Sequence, residues 1–468
     1  MMEALLKKLG NKLNGTSMRV YRDGVDSCWK KTPAMANQYE VLADHYPSSS
    51  DYEFLYTLIT WIRYVQSEFR QSSGFCCYLE QTFGDLKERG VVIGYDARAH
   101  PPSGGSSKRF ASLAAAVFTS RGVPVHLFSD ITPTPFVPFT VSHLSLCAGI
   151  MITASHNPKQ DNGYKVYWEN GAQIVSPHDK GISKAIEGNL EPWPESWNAE
   201  EALKSPLLKD PYQDVHTQYF KAIQKLCHYR DINKSSKVKI VHTSVHGVGH
   251  TFVQSAFKAF DLPPPYAVEE QKDPDPEFPT VKYPNPEEGE GVLTLSFALA
   301  EKEGASVVLA NDPDADRLAV AEKQERYGLW RVFSGNELGA LLGWWLFSCW
   351  KQQNPEAAVL KNLYMLSSTV SSKILRAIAL KEGFHFEETL TGFKWMGNRA
   401  KELIDQGNTV LFAFEEAIGM HNNFYFFFHT SCSTYTKNDI LTFSGVEGVQ
   451  PLSCSEHSAV PVRDMAHR

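Results

Sequence analysis

A serine and a histidine stand together where an apolar stretch of the chain ends. Residues 151–168 read MITASHNPKQDNGYKVYW, so Ser155 and His156 follow a strand-like run and precede an Asp-Asn-Gly turn and Lys165. One interpretation is a surface hairpin in which the Asn-Pro and Asp-Asn-Gly sequences reverse the chain. A Ser-His-Asp hydrolase is disfavoured because no Gly-x-Ser-x-Gly elbow surrounds Ser155. Phosphate chemistry suits the turn, since the serine could carry a phosphoryl group that cationic donors stabilise.

Three aspartates alternate in a second segment. Residues 307–320 read VVLANDPDADRLAV, with Asp312, Asp314 and Asp316 between two strand-like runs. Alternate residues of an extended segment point the same way, so we expect the three carboxylates to converge. Converging carboxylates repel one another unless a hard divalent cation with oxygen ligands lies between them. The alternative is a polar turn whose carboxylates are solvated.

The cation expected at these aspartates is Mg²⁺. An EF-hand calcium loop is excluded, because Arg317 stands where that loop needs glycine and Lys323 where it needs glutamate. Mg²⁺ commonly joins one or two carboxylates to a phosphate oxygen. That oxygen would come from a phosphorylated Ser155, which makes Ser155 a metal ligand together with the aspartates.

A lysine and two glutamates occur in or after loops at the ends of later strand-like segments. The sequence ETLTGFKWMGN contains Lys394, and FAFEEAIG contains Glu415 and Glu416. Open α/β sheets bind ligands beyond the carboxyl ends of their strands. Lys394 would suit a phosphate and the glutamates would suit sugar hydroxyls. A solvated helix start is the alternative for the glutamate pair.

Two further groups are weaker candidates. His242, His246 and His250 have a spacing that could bind zinc on a helix, but Gly247 and Gly249 favour a loop. The sequence DARAHPPSGGSSKRFA opens a helix with a Ser/Gly-rich loop but lacks the P-loop lysine spacing. Its polar residues are expected to cap the helix and stay solvated: Arg98, Ser106, Ser107, Lys108 and Arg109.

Composition restricts the class of protein. The 468 residues are 43% hydrophobic and carry a net charge of −7, which argues against a nucleic-acid partner. The eight cysteines form no Cys-x-x-Cys pair and predict free thiols in a reducing compartment. The charged N-terminus does not resemble a signal peptide, and the longest apolar run is too short for a membrane span. We expect a cytoplasmic, soluble monomer without membrane association.

Apolar strands alternate with amphipathic helices along most of the chain. This pattern predicts an α/β protein of repeated units with mainly parallel sheets. We place the units near 74–205, 206–325 and 326–419. An atypical N-terminal segment, 1–73, and an unrelated tail, 420–468, flank them.

The chain resembles the α-D-phosphohexomutase superfamily in four motifs that occur in order, namely TASHNPKQDNGYK, NDPDADR, TLTGFK and FEEAIG. Further segments are similar to its phosphoglucomutase-2 type, the phosphopentomutases, to which the glucose-1,6-bisphosphate synthases are near relatives. These segments are SDITPTPFVPFTVSHL, TSVHGVGH and EQKDPDPEFPTVKYPNPEEG. The resemblance covers roughly residues 74–419.

The resemblance implies a phosphoserine enzyme that requires Mg²⁺ and has four α/β domains, each a three-layer α/β/α unit with a mainly parallel, mixed sheet. Its reaction would move a phosphoryl group between C1 and C5 or C6 of ribose, deoxyribose or glucose phosphates, through a sugar bisphosphate. Glucose 1,6-bisphosphate would be the activating phosphoryl donor. Catalytic roles would fall to Ser155, His156 and Lys165. Substrate contacts would come from Arg317, Thr391, Lys394, Glu415 and Glu416.

Three family segments are not found in the sequence. They are FGTAGLR before the first helix, DKDG after FEEAIG, and the RTSGTEPK phosphate loop of the fourth domain. We therefore expect a truncated or alternatively spliced form, or an erroneous gene model, with the fourth domain missing and the third unit incomplete. A catalytically impaired form and a glucose-1,6-bisphosphate synthase are the alternatives. An aspartate-nucleophile phosphatase would leave the Ser155 turn unexplained.

Overall fold

The computed structural model describes residues 67–422 apart from 192, 198, 325, 327, 418 and 419. The described chain forms three mixed β-sheets with helices between the strands. Predictions for residues 1–66 and for the tail from 423 onward lie outside the described residues.

The first unit carries the serine turn at the end of an inner strand. Its strands are β1 (Val91–Tyr95), β2 (Ala99–His100), β3 (Gly105–Ser106), β4 (Val125–Leu127), β5 (Ala148–Ile152), β6 (Tyr164–Trp168) and β7 (Leu208–Lys209). The sheet order is β6-β5-β1-β4-β7, and only β6 is antiparallel to its neighbour. Strands β2 and β3 form a separate small ribbon.

Helices cover both faces of this sheet. They are α1 (residues 67–82), α2 (Leu86–Arg89), α3 (Ser107–Ser120), α4 (Phe136–His143), α5 (His178–Glu187) and α6 (Ala199–Ala202). Strand β1 is apolar and buried throughout, and its residues alternate between two cores. Val91 and Ile93 pack in the core of α3, whereas Val92 packs in the core of α4. The result is a three-layer α/β/α unit.

The second unit carries the aspartate loop between two strands. Its strands are β8 (Ile240–Thr243), β9 (Tyr266–Ala267), β10 (Val307–Asn311), β11 (Leu318–Gln324) and β12 (Leu329–Val332), in the order β12-β11-β10-β8-β9. Its helices are α7 (Tyr212–Ile223), α8 (Arg230–Lys234), α9 (Gly249–Ala259) and α10 (Glu290–Glu303). Strands β8, β9 and β10 are parallel, and β11 and β12 are antiparallel additions.

The third unit begins with a long helix that a capping box starts. Ser334 accepts from the N–H of Glu337, whose side chain in turn accepts from the N–H of Ser334. The helices are α11 (Gly335–Gln353), α12 (Ile374–Glu382) and α13 (Phe393–Asp405). The strands are β13 (Leu363–Ser368), β14 (His385–Thr389), β15 (Thr409–Phe414) and β16 (Met420–Asn422), in the order β14-β13-β15-β16. Only β16 is antiparallel.

Shared apolar cores join consecutive units. Phe136 of the first unit and Phe252 and Leu309 of the second belong to one core. Val308 of the second unit and Phe412 of the third belong to another. The loops at the strand ends are therefore held against one another by packing that crosses the unit boundaries.

The predicted α/β fold with mainly parallel, mixed sheets is confirmed. The first core begins before the predicted start at residue 74, because Phe69 on α1 is fully buried in it. Within residues 67–422, every described helix falls short of the length and apolarity that a membrane span requires.

A buried carboxyl on α1 makes this core sensitive to pH. The hydroxyl of Ser72 donates a 3.1 Å hydrogen bond to Oε1 of Glu68 and lies 3.3 Å from the hydroxyl of Tyr164. Burial raises the pKa of Glu68 to about 8, although the bond from Ser72 opposes the shift. The folded protein therefore keeps Glu68 protonated at pH values where the unfolded chain ionises it.

We predict that the unfolding free energy of the wild type decreases above pH 5 and that Glu68→Gln abolishes this decrease. The folded pKa is raised, so the stabilising contribution is complete below the unfolded pKa and is lost as pH rises through about 8. Relative to Glu68→Gln, the wild type should lose on the order of 3 kcal/mol of unfolding free energy between pH 5 and pH 8. Urea unfolding midpoints at several pH values measure this, and parallel pH profiles for the two proteins would contradict it.

Candidate active site

The candidate nucleophile lies on a strained turn directly after β5. Ser155 has a φ of +51°, in the left-handed region that costs a residue with a Cβ about 1–2 kcal/mol. Its N–H donates a 2.8 Å hydrogen bond to the hydroxyl of Thr153, and the N–H of Asn157 donates to the carbonyl of Ala154. Strain of this kind persists where the surroundings enforce it, and it concentrates at functional sites.

Ser155 contacts the aspartate loop across the boundary between two units. Its hydroxyl donates a 2.6 Å hydrogen bond to Oδ2 of Asp312, although the two residues are 157 positions apart in the sequence. Nδ1 of His156 lies 3.4 Å from the same hydroxyl oxygen. The structure therefore brings the serine, the imidazole and the carboxylates of the sequence prediction into one place.

The three aspartates converge through a turn and not along an extended segment. Asp312, Asp314 and Asp316 offer oxygens that all lie within 4.8 Å of one another. The chain reverses between β10 and β11, where the N–H of Ala315 donates to the carbonyl of Asp312 and Ala315 has a φ of +56°. The expected convergence is present, but the extended geometry predicted for it is wrong. The turn points all three side chains into the same space.

The loop after β8 packs against this turn. A Cβ on Gly247 would lie 2.2 Å from Cα of Pro313, so only glycine allows the two backbones to approach. The N–H of Val248 donates to the carbonyl of Pro313, and the ring of His242 lies 2.9 Å from the side-chain oxygen of Asn311. The TSVHGVGH segment therefore shapes the aspartate turn.

Two residues of the first unit hold Asp314. Nζ of Lys165 lies 2.7 Å from Oδ2 of Asp314 and 2.9 Å from Oδ2 of Asp316. The hydroxyl of Thr134 donates to the same oxygen of Asp314 at 2.6 Å, and its N–H donates to the Asp314 carbonyl. Sequence reasoning missed Thr134. Its only signal was its position between Pro133 and Pro135, soon after an apolar strand.

The aspartate cluster has the donor set of a divalent-cation site. Burial, with the charges of the neighbouring aspartates, raises the pKa of Asp312 and of Asp316. Burial also opposes ionisation of Asp314, yet Lys165 holds the pKa of Asp314 below its usual value. The Oδ1 atoms of Asp314 and Asp316 are buried and accept no hydrogen bond from the described residues. Buried oxygens without a partner, close together and carrying negative charge, suit Mg²⁺.

The two basic side chains near Ser155 differ in charge. Burial, followed by the positive charge of Arg317, lowers the pKa of His156 to about 4, so its ring is neutral near neutral pH. Burial works against the charge of Lys165, but Asp314 and Asp316 raise the pKa of Lys165 well above its usual value. His156 can therefore accept a proton, while Lys165 remains a cation.

The third unit contains the predicted site residues Glu415 and Lys394. Oε1 of Glu415, which directly follows β15, accepts a 2.8 Å hydrogen bond from the N–H of Gly392. Burial raises the pKa of Glu415, and the positive charge of Arg317 opposes that shift. Lys394, in the first turn of α13, has no carboxylate partner among the described residues, and Thr391 beside it is exposed.

Glu416 is engaged in a different set of contacts. Its Oε2 accepts hydrogen bonds from the hydroxyls of Ser371, at 2.6 Å, and Ser368, at 3.1 Å. Burial works against its charge, but these serine contacts hold the pKa of Glu416 below its usual value. The two glutamates predicted to act as a pair therefore have separate surroundings.

Arg317 directly follows the three aspartates and contacts two carboxylates of its own unit. Its N–H donates to Oδ1 of Asp312 at 3.0 Å, and its guanidinium contacts Glu287 at 3.2 Å. Its charge affects the pKa of both His156 and Glu415. Those effects place its positive charge within electrostatic reach of both residues.

Direct contacts also tie the third unit to the first. The side chain of Asn398, on α13, accepts from Asn170 and donates to the carbonyl of Gln173, both at 2.9 Å. Helix α13 is thereby held against the turn that follows β6.

The structure also shows the surroundings of the weaker candidates from the sequence. The described residues contain one group suited to a metal ion, the three aspartates, and the histidine triplet is not another. Ser106 does cap α3, as expected, by accepting from the N–H of Arg109. Arg98 is buried and not solvated, contrary to expectation.

Three family models match successive parts of the chain. They describe phosphoglucomutase/phosphomannomutase α/β/α domain I over residues 69–192, domain II over 217–327 and domain III over 334–437. A crystal structure of a phosphoglucomutase/phosphomannomutase family protein from Burkholderia thailandensis is similar in fold. Its TM-score is 0.57 at 21% identity, with 76% of this chain and 68% of that chain covered.

Two human proteins are similar in sequence. Phosphopentomutase of Homo sapiens is 76% identical over 348 residues, which are 74% of this chain and 57% of that protein. Glucose 1,6-bisphosphate synthase of Homo sapiens is 61% identical over 350 residues, which are 75% of this chain and 56% of that protein. The chain therefore spans somewhat more than half the length of these relatives. Because the three domain matches follow one another in order across most of its length, the chain belongs to the α-D-phosphohexomutase superfamily, as its motifs predicted.

Proposed function

We propose that this chain transfers a phosphoryl group between two positions of a sugar phosphate, with Ser155 as the residue that carries the group. The supporting observation is the 2.6 Å contact between Oγ of Ser155 and Asp312 inside a buried carboxylate cluster. A serine placed there can take up a phosphoryl group whose oxygens lie against a cation and positively charged side chains.

Mg²⁺ is the proposed metal cofactor, held by phosphorylated Ser155 and by Asp312, Asp314 and Asp316. When bound, the cation supplies charge neutralisation for the phosphoryl group during transfer. Lys165 contributes a second positive charge and fixes two of the carboxylates.

His156 is proposed to carry the proton of the sugar hydroxyl during phosphoryl transfer. In the first transfer the bond between Oγ of Ser155 and phosphorus breaks, a bond from a sugar hydroxyl oxygen to phosphorus forms, and the hydroxyl loses its proton. The neutral ring of His156 accepts that proton and passes it to Oγ of Ser155, 3.4 Å from Nδ1. The second transfer returns a phosphoryl group from the other end of the sugar bisphosphate by the reverse steps.

The sugar would bind between the serine turn and the third unit. Glu415 is the proposed acceptor for sugar hydroxyls, because one of its oxygens is fixed by Gly392 and the carboxylate remains near Arg317. Lys394 and Arg317 would bind the phosphate that is not being transferred, and Thr391 would line the same loop. Glu416 is proposed to stabilise the fold and not to bind the sugar, since its carboxylate already accepts hydrogen bonds from Ser368 and Ser371.

The relatives suggest the substrate class. The identity with human phosphopentomutase supports ribose or deoxyribose phosphates, and glucose phosphates are the wider class. The identity with human glucose 1,6-bisphosphate synthase supports a second candidate, synthesis of that bisphosphate. Glucose 1,6-bisphosphate is the proposed activating donor for a mutase. A form that binds phosphosugars without turnover is the remaining alternative.

We also propose how the chain is divided into domains and which partners it has. The units near 74–205, 206–325 and 326–419 would be separate α/β domains of a cytosolic monomer. Its partners would be small sugar phosphates and neither nucleic acid nor membrane.

We predict that radiolabelled glucose 1,6-bisphosphate with Mg²⁺ labels Ser155. Ser155→Ala should abolish the label, because the acceptor oxygen is removed. Ser145→Ala is a matched control, since Ser145 also has a positive φ, of 54°, and lies exposed in the same unit. An unlabelled wild type would overturn the proposed function, and so would equal labelling of Ser155→Ala.

We predict that Asp316→Asn weakens Mg²⁺ binding. Substitution of a residue that only contacts a metal ligand typically lowers metal affinity by tenfold or more. Asp316 is a proposed ligand itself, so removal of its charge should lower the affinity for Mg²⁺ by at least about tenfold. Isothermal titration calorimetry with Mg²⁺ measures the effect. Asp261→Asn, which removes an exposed aspartate paired with Arg230, is the control. Equal affinities for all three proteins would argue against the aspartate site.

The two neighbouring glutamates should respond differently to substitution. Glu415→Gln should weaken binding of glucose 1,6-bisphosphate by about 10- to 100-fold, the value of a charged hydrogen bond. Glu416→Gln should mainly lower the unfolding temperature, because Ser368 and Ser371 lose a charged acceptor. Calorimetric titration and thermal unfolding of both variants test this, and the reverse pattern would refute the assignment.

A further inference from the structure

One arginine binds the backbone of the whole serine turn. Arg98 lies just after β1, and 1% of its side chain is exposed. Its guanidinium donates to four carbonyls of the turn, namely those of Ser155 at 2.6 Å, Asn157 at 2.7 Å, Pro158 at 2.8 Å and Asp161 at 3.2 Å. A planar guanidinium with five donors in a fixed arrangement is suited to such a set of acceptors.

The buried charge of Arg98 is balanced within the same unit. Its Nε lies 3.3 Å from Oδ2 of Asp96. The hydroxyl of Ser107 donates to the other oxygen of Asp96 at 2.6 Å, and the side chain of Asn162 donates to Ser107 at 3.0 Å. The ion pair thus links the end of β1, the start of α3 and the far side of the turn.

The second unit covers this arrangement. The guanidinium carbon of Arg98 lies 5.3 Å from the ring centre of Phe278. Beside it, Glu277 pairs with Lys159 of the turn at 2.7 Å. The hydroxyl of Thr280 lies 2.7 Å from the ring of His246, which anchors the segment to its own unit.

We propose that Arg98 is the positioning residue of the nucleophile turn. It holds the backbone of Ser155 in its left-handed conformation, so that Oγ faces the aspartates, and Phe278 couples this conformation to docking of the second unit. The inference deepens the proposed function and rests on the role of Ser155 as phosphate carrier. The donors of Arg98 go to backbone carbonyls of the turn, so it acts through Ser155.

The effect on catalysis follows from geometry. Without its donors, the turn can relax from a conformation that costs about 1–2 kcal/mol at Ser155. A displacement of about 1 Å at a reacting group can cost about 100-fold in rate. Loss of Arg98 should therefore slow phosphorylation of Ser155 and loosen the turn at the same time.

The test compares Arg98→Met and Arg98→Lys with Arg89→Met. Arg89 also donates to backbone carbonyls, those of Ser145 and Leu146, but at the opposite end of the same sheet. Two readouts are needed on the full chain. One is the rate at which glucose 1,6-bisphosphate phosphorylates Ser155, and the other is the rate of tryptic cleavage after Lys159, followed by mass spectrometry.

We expect Arg98→Met to be phosphorylated about 100-fold more slowly and to be cleaved faster after Lys159. Arg98→Lys keeps the charge opposite Asp96 but has fewer donors, so it should fold and show a smaller change in both readouts. Arg89→Met should change neither. If Arg98→Met does not fold, the phosphorylation and cleavage rates of Arg98→Lys test the proposal in its place.

Wild-type rates in folded Arg98→Lys would overturn the proposal, as would slower phosphorylation without faster cleavage after Lys159. If the wild type itself takes no phosphoryl group, the proposed function fails. Cleavage after Lys159 then still decides whether Arg98 orders the turn: faster cleavage in the Arg98 variants supports the inference, and unchanged cleavage overturns it.

Discussion

The contact between Ser155 and Asp312 depends on two units being held in one fixed arrangement. Ser155 follows strand β5 of the first sheet, and Asp312 follows strand β10 of the second sheet. Apolar packing sets the positions of both strand ends. The core that contains Phe136, Phe252 and Leu309 crosses the same boundary. Burial of that shared surface therefore keeps a serine within 2.6 Å of a carboxylate that lies 157 positions away in the sequence. Any chemistry at this site follows from that arrangement.

Charge is the second constraint on the site. Three carboxylates within 4.8 Å of one another, two of them buried and that of Asp316 partly buried, are unfavourable unless positive charge accompanies them. Lys165 reaches two of them, but two buried oxygens still lack a partner among the described residues. The same environment lowers the pKa of His156, through burial and then the charge of Arg317. A cation site and a neutral proton acceptor beside one hydroxyl suit phosphoryl transfer better than hydrolysis by a serine triad.

Much of the fold could be predicted from the chain because apolar strands and amphipathic helices alternate so regularly. Residue type and local spacing also identified Ser155 and the three aspartates as candidate site residues, and the fold brings these side chains together. The turn that makes the aspartates converge could not be predicted, because it depends on Gly247 approaching Pro313 from another loop. In the same way, the separate surroundings of Glu415 and Glu416 depend on serines at the end of the neighbouring strand β13 and in the loop that follows it. Arg98 was misread as solvated, since only the folded chain places four carbonyls around its guanidinium.

We propose that Ser155 and the three aspartates, contributed by two units, form one cation site. Anomalous diffraction from crystals soaked with Mn²⁺, a stand-in for Mg²⁺ with the same preference for oxygen ligands, tests it most directly. If the four residues form one site, we expect a peak at about 2.1 Å from carboxylate oxygens of Asp312, Asp314 and Asp316 and from the oxygen of Ser155 or its phosphate. A bound Mn²⁺ that contacts the aspartates but leaves Ser155 far outside its coordination shell would contradict it, as would Mn²⁺ found only elsewhere on the chain.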